Sequence, residues 1–220
     1  MLITASLQLA PSTFSIFYHY ALGKTTAKKA DDRSLSFILG VEIFASLIWV
    51  LLFFILTLLR FIIDVYSPLT FWIISGIFFA EAIAFLLFYY RHGHGTALFI
   101  PRNTASALQS CAQKANSRSD AIALGFFANF PELIFTLPLY FISTVILLNT
   151  PTLPCAPIII LCLASAILPL LIVRILYRSD RNLAFITRIR VRLKPFLRII
   201  IPLLYVALAS ATLILGVYHG

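Results

Sequence analysis

Acidic residues are scarce in this chain, with 8 Asp and Glu against 17 Lys and Arg in 220 residues, and charged residues of both signs make up only 11%. A soluble domain carries about 25%, so a water-facing surface of ordinary extent is excluded. Cysteine is nearly absent too. Cys111, Cys155 and Cys162 form no C-x-x-C pair, which argues against a thiol relay and leaves them as small apolar residues. No P-loop, no H-E-x-x-H and no G-x-S-x-G occurs. An energy-transducing ATPase and a standard hydrolase are thereby excluded. An intramembrane enzyme lacks a nucleophile–base or metal constellation, so neither enzymatic activity nor a cofactor is expected.

What is present is apolar surface. The chain is 61% hydrophobic, with a mean hydropathy of +0.99. A helix crosses the hydrocarbon core with roughly 20 apolar residues. Five runs pass that test, at about 35–61, 66–90, 121–148, 153–177 and 196–217, and the run at about 2–20 is a weaker sixth. Six spans leave no room for a sizeable extramembrane domain.

The basic residues fall into three groups between these runs: Lys24, Lys28, Lys29 and Arg33; Arg91, Arg102, Lys114 and Arg118; and Arg174, Arg178, Arg181, Arg188, Arg190, Arg192, Lys194 and Arg198. Only Arg60 stands apart. Membrane proteins collect such charge on cytoplasmic loops. The charge of +9 and pI near 9.8 are thus orientation signals, and no nucleic-acid partner is expected. Residues 1–18 carry no side-chain charge, and Lys24 to Arg33 follow the first run. A secretory signal has the reverse order, so the first run is expected to be a span. The predicted topology has both termini outside. Its cytoplasmic segments are 20–34, 91–120 and 178–195, and its short outer loops lie near Asp64–Pro68 and Asn149–Pro157. Arg188–Lys194 alternates basic and apolar residues and is expected to be a simple orientation anchor, the alternative being a segment that lies at the lipid interface. Arg60 and Asp64 suit an i,i+4 pair, and Arg174 is expected to snorkel to the cytoplasmic surface.

Six spans divide into two units of three: half one at 1–90, the loop 91–120, and half two at 121–220. An odd count per unit inverts one half against the other, the plan of many secondary transporters. The fold class expected is therefore an all-α membrane protein with six transmembrane helices in two inverted three-helix halves. Helix breakers are expected at matching places. Ala10-Pro11-Ser12-Thr13 interrupts the first span, and Asn129-Phe130-Pro131-Glu132 the fourth. Proline removes a backbone donor, and inside a bilayer such irregularity survives where protein or a polar cavity satisfies the freed groups. Pro11, Ser12, Thr13, Asn129, Pro131 and Glu132 are accordingly candidates for a midplane binding site. A separate local similarity matches Lys29-Ala30-x-x-Arg33-Ser34 with Leu39-Gly40 to Lys114-Ala115-x-x-Arg118-Ser119 with Leu124-Gly125. It precedes spans two and four, so it does not align the two halves, and it reads as two similar helix starts on the cytoplasmic side.

These segments, in this order, resemble the lysine-exporter (LysE-type) superfamily. Its members typically have six spans in two inverted halves. They carry a P-G-P-like segment in the first helix, a basic, Gly-containing start to the second, and a G-F-x-x-N-x-x-N-P-K-like segment at the fourth. Pro11, the Lys24–Gly40 stretch and Gly125-Phe126-Phe127-Ala128-Asn129-Phe130-Pro131-Glu132 take the matching places. The resemblance implies export of a small solute or cation. Here the first motif reads Ala-Pro-Ser-Thr, and Glu132 stands where the family has lysine, so amino-acid specificity does not carry over.

Glu42, Glu81 and Glu132 each stand alone in an apolar run. An ionisable group at mid-membrane costs roughly 2.5–3.5 kcal/mol on insertion scales for Asp, Lys or Arg, so these acids are expected to face inward. Ser46 and Trp49 share the face of Glu42, at i+4 and i+7. The functional expectation is proton or cation coupling; the structural one is hydrogen bonding to Asn129, Ser or Thr on neighbouring helices. His19, His92 and His94 fall at the cytoplasmic ends of spans one and three and are weak metal candidates. The near-terminal His219 stands apart from them. The expected function is a secondary transporter of the cytoplasmic membrane; its partners are the lipid bilayer and a small-molecule or ion substrate, and halves this small suit a homodimer. The competing expectation is a non-transporting membrane scaffold or assembly protein.

Overall fold

The computed structural model describes residues 27–61, 67–89, 117–130, 133–149, 167–175 and 183–218, with residues 17, 110–111, 160 and 163–164. Every regular element among them is helical: α1 (Ala27–Leu59), α2 (Pro68–Ala84) with a π-helical turn at Phe85–Tyr89, α3 (Arg118–Ala128), α4 (Leu133–Asn149) and α5 (Leu183–Tyr218). Residues 167–175 are helical as well. Three stretches are long and apolar enough to cross a membrane: Asp31–Leu59, Pro68–Leu87 and Ile199–Tyr218. They agree with the second, third and sixth expected spans to within a few residues. Their outer faces suit lipid and not water, since Phe54 is 62% exposed and Trp72 54%. A soluble monomer rarely shows contiguous apolar surface on that scale. The first expected span, apart from Phe17, lies outside the described residues, as does most of the fifth.

The run expected as a fourth span divides into two helices at the breaker that the sequence marks. α3 and α4 would qualify together as one span but are bent by 78° at the break between them. α3 begins with a capping box: the Ser117 hydroxyl accepts from the Asp120 amide, and the Asp120 carboxylate accepts from the Ser117 amide. These two bonds satisfy donors that a helix start leaves open. Its far end is set by Asn129, whose side-chain amide donates to the Gly125 carbonyl at 3.1 Å. Pro131 then follows and offers no backbone donor, and it disfavours helical geometry in Phe130 before it.

α5 departs from expectation. The segment 178–195 was expected as a loop, yet the helix starts at Leu183 and runs 36 residues to Tyr218. At 1.5 Å per residue that is about 54 Å, against a hydrocarbon core of roughly 30 Å. Ile, Leu, Val, Arg and Lys all tolerate helix, and charge alone forces this stretch out of the hydrocarbon, not out of the helix.

The two similar helix starts also prove to be more than parallel occurrences. α1 and α3 cross at Gly40 and Gly125. A Cβ on Gly40 would meet the Ile122 carbonyl oxygen and the Phe126 nitrogen; a Cβ on Gly125 would meet the Phe37 carbonyl oxygen and the Val41 nitrogen. Ile122 and Phe126 occupy the places in the second copy that Phe37 and Val41 occupy in the first. The contact is therefore reciprocal, a local two-fold relating helices that start on the same side. An inverted repeat would run its equivalent helices in opposite directions, so this symmetry is not that of the two halves. Phe44 caps the crossing, edge-on to Phe126 with ring centroids 5.1 Å apart.

A second pair is formed by α2 and α5. The Ser75 hydroxyl donates to the Ala209 carbonyl at 2.8 Å, and Gly216 faces the Trp72 indole. α4 joins the two pairs. Its Phe135, Leu139, Ile142 and Val145 share a core with Leu56 of α1, Phe71, Ile74 and Phe78 of α2, and Ile201, Tyr205 and Ala209 of α5. The fully buried Tyr205 donates its hydroxyl to the Phe135 carbonyl at 2.9 Å, and its ring stacks on Phe85 at 5.7 Å. Pro138 lies inside α4 and cannot donate to the carbonyl one turn before it.

The glycine contact makes a signed prediction. Gly40→Ala and Gly125→Ala each lower unfolding free energy in detergent by about 1–3 kcal/mol, the cost of overpacking. The double substitution costs less than the sum, because one separation of the helices relieves both clashes. Gly76→Ala, where nothing lies within 4 Å of an added Cβ, causes no loss.

Candidate functional site

Of the residues picked out from the sequence, Glu42, Glu81 and Asn129 are described. Pro11, Ser12, Thr13, Pro131 and Glu132 lie outside the described residues, as do His19, His92 and His94. The expected Arg60–Asp64 pair lies outside them too, since Asp64 is not described. Among the described residues no three His, Cys, Asp or Glu lie together as a metal centre.

Glu81 sits near the end of α2, four residues before the π-helical turn. It is 7% exposed. Its Oε2 is fully buried and has no hydrogen-bond partner among the described residues. Two rings flank it along the helix. Phe78 and Phe85, one turn to either side, lie 6.0 and 5.7 Å from the Tyr205 ring, whose hydroxyl is committed to the Phe135 carbonyl. π-helical turns recur at functional sites, and here one adjoins the buried acid.

Glu42 stands two residues beyond Gly40 and so turns away from the α1–α3 crossing. It is half-buried, and its Oε2 is buried without a partner among the described residues. Trp49, on the same face, is buried at 5% exposure, and its Nε1 likewise has no partner among the described residues. The Trp49 ring stacks on Phe53 at 5.7 Å and packs with Ala45, Tyr140 and Leu147. Its face is thus occupied, and its N–H is left to find an acceptor. No hydrogen bond among the described residues joins Glu42 or Glu81 to Asn129 or to each other. Asn129 is buried at 4% exposure and bonds within its own helix, as a helix end does.

The contrast with other buried polar groups is informative. Ser75, Tyr205, Thr144 and Thr212 are all buried, and each places its hydroxyl on a backbone carbonyl at 2.7–2.9 Å. Groups that serve packing are satisfied, as they are in most proteins. The two acids and the indole are the exceptions.

Sequence reasoning missed Asp31 and Asp32. Arg174 does not simply reach for the surface. Its Nε and one terminal nitrogen both donate to Asp31 Oδ1, at 3.1 and 2.8 Å. Arg118 donates to Asp32 Oδ2 at 2.8 Å. The signal was legible in principle, since two acids stand inside the first basic group. These pairs also gather the start of α1, the start of α3 and the end of 167–175 in one place. The Arg118–Asp32 side chains are 74% and 51% exposed and Arg174–Asp31 18% and 39%. Exposed pairs contribute about 0–1 kcal/mol each, so only the second has the shelter to exceed that.

Comparison with known proteins finds no matching family, no matching curated relative and no matching solved structure. The fold by itself defines the class: an all-helical, multi-pass membrane protein.

The unpartnered Glu81 predicts an unusual stability effect. An orphaned buried polar group costs about 1–3 kcal/mol, so Glu81→Leu raises unfolding free energy in detergent by up to about 3 kcal/mol. Ser75→Ala, which breaks a made bond, lowers it by about 1 kcal/mol. A clear loss of stability in Glu81→Leu would show that the carboxyl has a structural partner.

Proposed function

We propose that the chain is a secondary transporter of the cytoplasmic membrane that exports a small solute or cation by alternating access. In this reading it has six spans in two inverted halves, of the LysE type. The observation that carries it is the Glu81 carboxyl, buried in a helix long and apolar enough to span, with an oxygen that no described residue satisfies. Ionisable groups inside spans that are not spent on packing mark ion and substrate paths. Glu42, with Ser46 and Trp49, is the second such place. The break at Asn129–Glu132 supports the same reading, because irregular backbone in a bilayer accompanies a cavity or a protein-lined site. Glu81 and Glu42 would take up a proton or cation, and Pro11, Ser12, Thr13, Pro131 and Glu132 would line the solute site.

One observation favours the scaffold alternative. The α2–α4–α5 interface beside Glu81 is filled by Phe78, Phe85, Phe135 and Tyr205, as a packing core would be.

The test is proton movement in liposomes containing the purified chain and a trapped pH dye. A potassium diffusion potential drives the movement, with amines, amino acids and divalent cations offered in turn. At least one solute is expected to evoke proton movement, and Glu81→Gln is expected to slow it about tenfold or more while the protein stays folded. Undiminished movement in both Glu81→Gln and Glu42→Gln refutes coupling by these acids. No movement with any solute favours the scaffold.

A further inference from the structure

Helical geometry changes the meaning of Arg188–Lys194. In sequence the segment alternates basic and apolar residues, which in a strand would put them on opposite faces. It belongs instead to α5, which is helical from Leu183 to Tyr218. At about 100° per residue, Phe185, Ile186, Ile189, Leu193, Phe196 and Leu197 take positions within an arc of about 120°. Arg188, Arg190, Arg192, Lys194 and Arg198 all take positions in the rest of the circle, none among the apolar six. Residues 183–198 are therefore an amphipathic helix with a broad basic side. Helices of that pattern lie in the membrane interface.

The apolar arc is continuous with the outer side of the span. Phe196, Leu203 and Ile214 lie within about 20° of one another around α5 and are 65%, 60% and 54% exposed. Ile201, Tyr205, Ala209 and Thr212 are buried and lie roughly 140–180° away from Phe196. Ahead of Ile199, where the apolar stretch begins, a straight helix carries the arc out into water. A bend toward the outer side lays that same arc against the bilayer surface.

The prolines set the direction of such a bend. Pro195 and Pro202 are seven residues apart, so they share a side of the helix to within about 20°. A proline ring pushes against the carbonyl four residues before it, so the helix opens on the proline side and bends away from it. The direction opposite the two prolines falls within the apolar arc, at about 60–80° from Phe196.

We propose that residues 183–198 are a docking surface for the anionic phospholipid headgroups of the adjoining leaflet, reached by bending α5 at Pro195 and Pro202. The apolar arc seats at the acyl-chain boundary, and the basic positions meet the phosphates. Charge selects the partner. Five basic residues and no acid stand in this stretch, and an anionic headgroup layer attracts each of them where a neutral one does not. Four of the five are arginine, whose planar fork of donors matches phosphate. The surface serves equally under the transport and the scaffold readings.

The test is quenching of a fluorophore on the arm by doxyl-labelled lipid. The full chain is used, with Cys111, Cys155 and Cys162 replaced by serine and a single new cysteine labelled. Ile189→Cys places the label in the apolar arc, and Val191→Cys places it in the basic one. The protein is reconstituted in phosphatidylcholine alone or mixed with phosphatidylglycerol. Adding phosphatidylglycerol is expected to raise quenching at position 189 about threefold, with little change at position 191. High salt is expected to reverse the rise by screening, and R188Q/R190Q/R192Q/K194Q to abolish it. Equal quenching at position 189 in the two lipids overturns the proposal, whether the label is quenched in both, as apolar contact alone would give, or in neither. A rise of the same size at both positions also overturns it, since the arm would then have no apolar side. A rise that neither salt nor the glutamine variant reduces refutes charge as its cause.

Discussion

Helices in hydrocarbon gain little by hiding apolar surface from one another, because lipid tails are as apolar as leucine. What draws them together is close backbone approach and hydrogen bonds that lipid does not offer. Three joints among the described residues are of that kind. α1 and α3 meet where two glycines let carbonyl groups touch the opposing helix. α2 and α5 are joined by a serine on a backbone carbonyl. α4 is tied in by Tyr205 on Phe135. Aromatic rings fill the space around these joints, but the joints set the register.

The same rule separates the polar groups into two kinds. Hydroxyls at helix contacts have backbone acceptors and are explained by packing. Two carboxyl oxygens and an indole N–H have none among the described residues, and packing does not explain them. A chain selected for cohesion alone would carry apolar side chains of similar size at Glu42 and Glu81.

Much of this was legible in the sequence. Span lengths and the charge groups placed α1, α2 and the apolar part of α5. The Asn-Phe-Pro-Glu run located the break between α3 and α4 to the residue, because proline chemistry is local. Three features were not legible for the opposite reason, that they are relations between distant segments. The Lys-Ala-x-x-Arg-Ser similarity was visible as a repeat, yet nothing in one helix says that it will pack on its own copy. Asp31 and Asp32 looked like minor members of a basic group until Arg118 and Arg174 were seen to converge on them. The helical state of 183–195 was hidden because charge marks the edge of the hydrocarbon and carries no information about where a helix starts.

That last helix has a mechanical consequence. If Ile199–Tyr218 is the part held in the bilayer, the preceding 16 residues of α5 extend about 24 Å beyond it. Pro195 and Pro202 stand near that junction and remove two backbone donors, so the helix bends there at lower cost than elsewhere along its length. The arm carries Arg188, Arg190, Arg192 and Lys194, which favour the anionic headgroup layer. Attraction to the headgroups thus acts on the arm first, and reaches the buried joint at Tyr205 only across those two prolines.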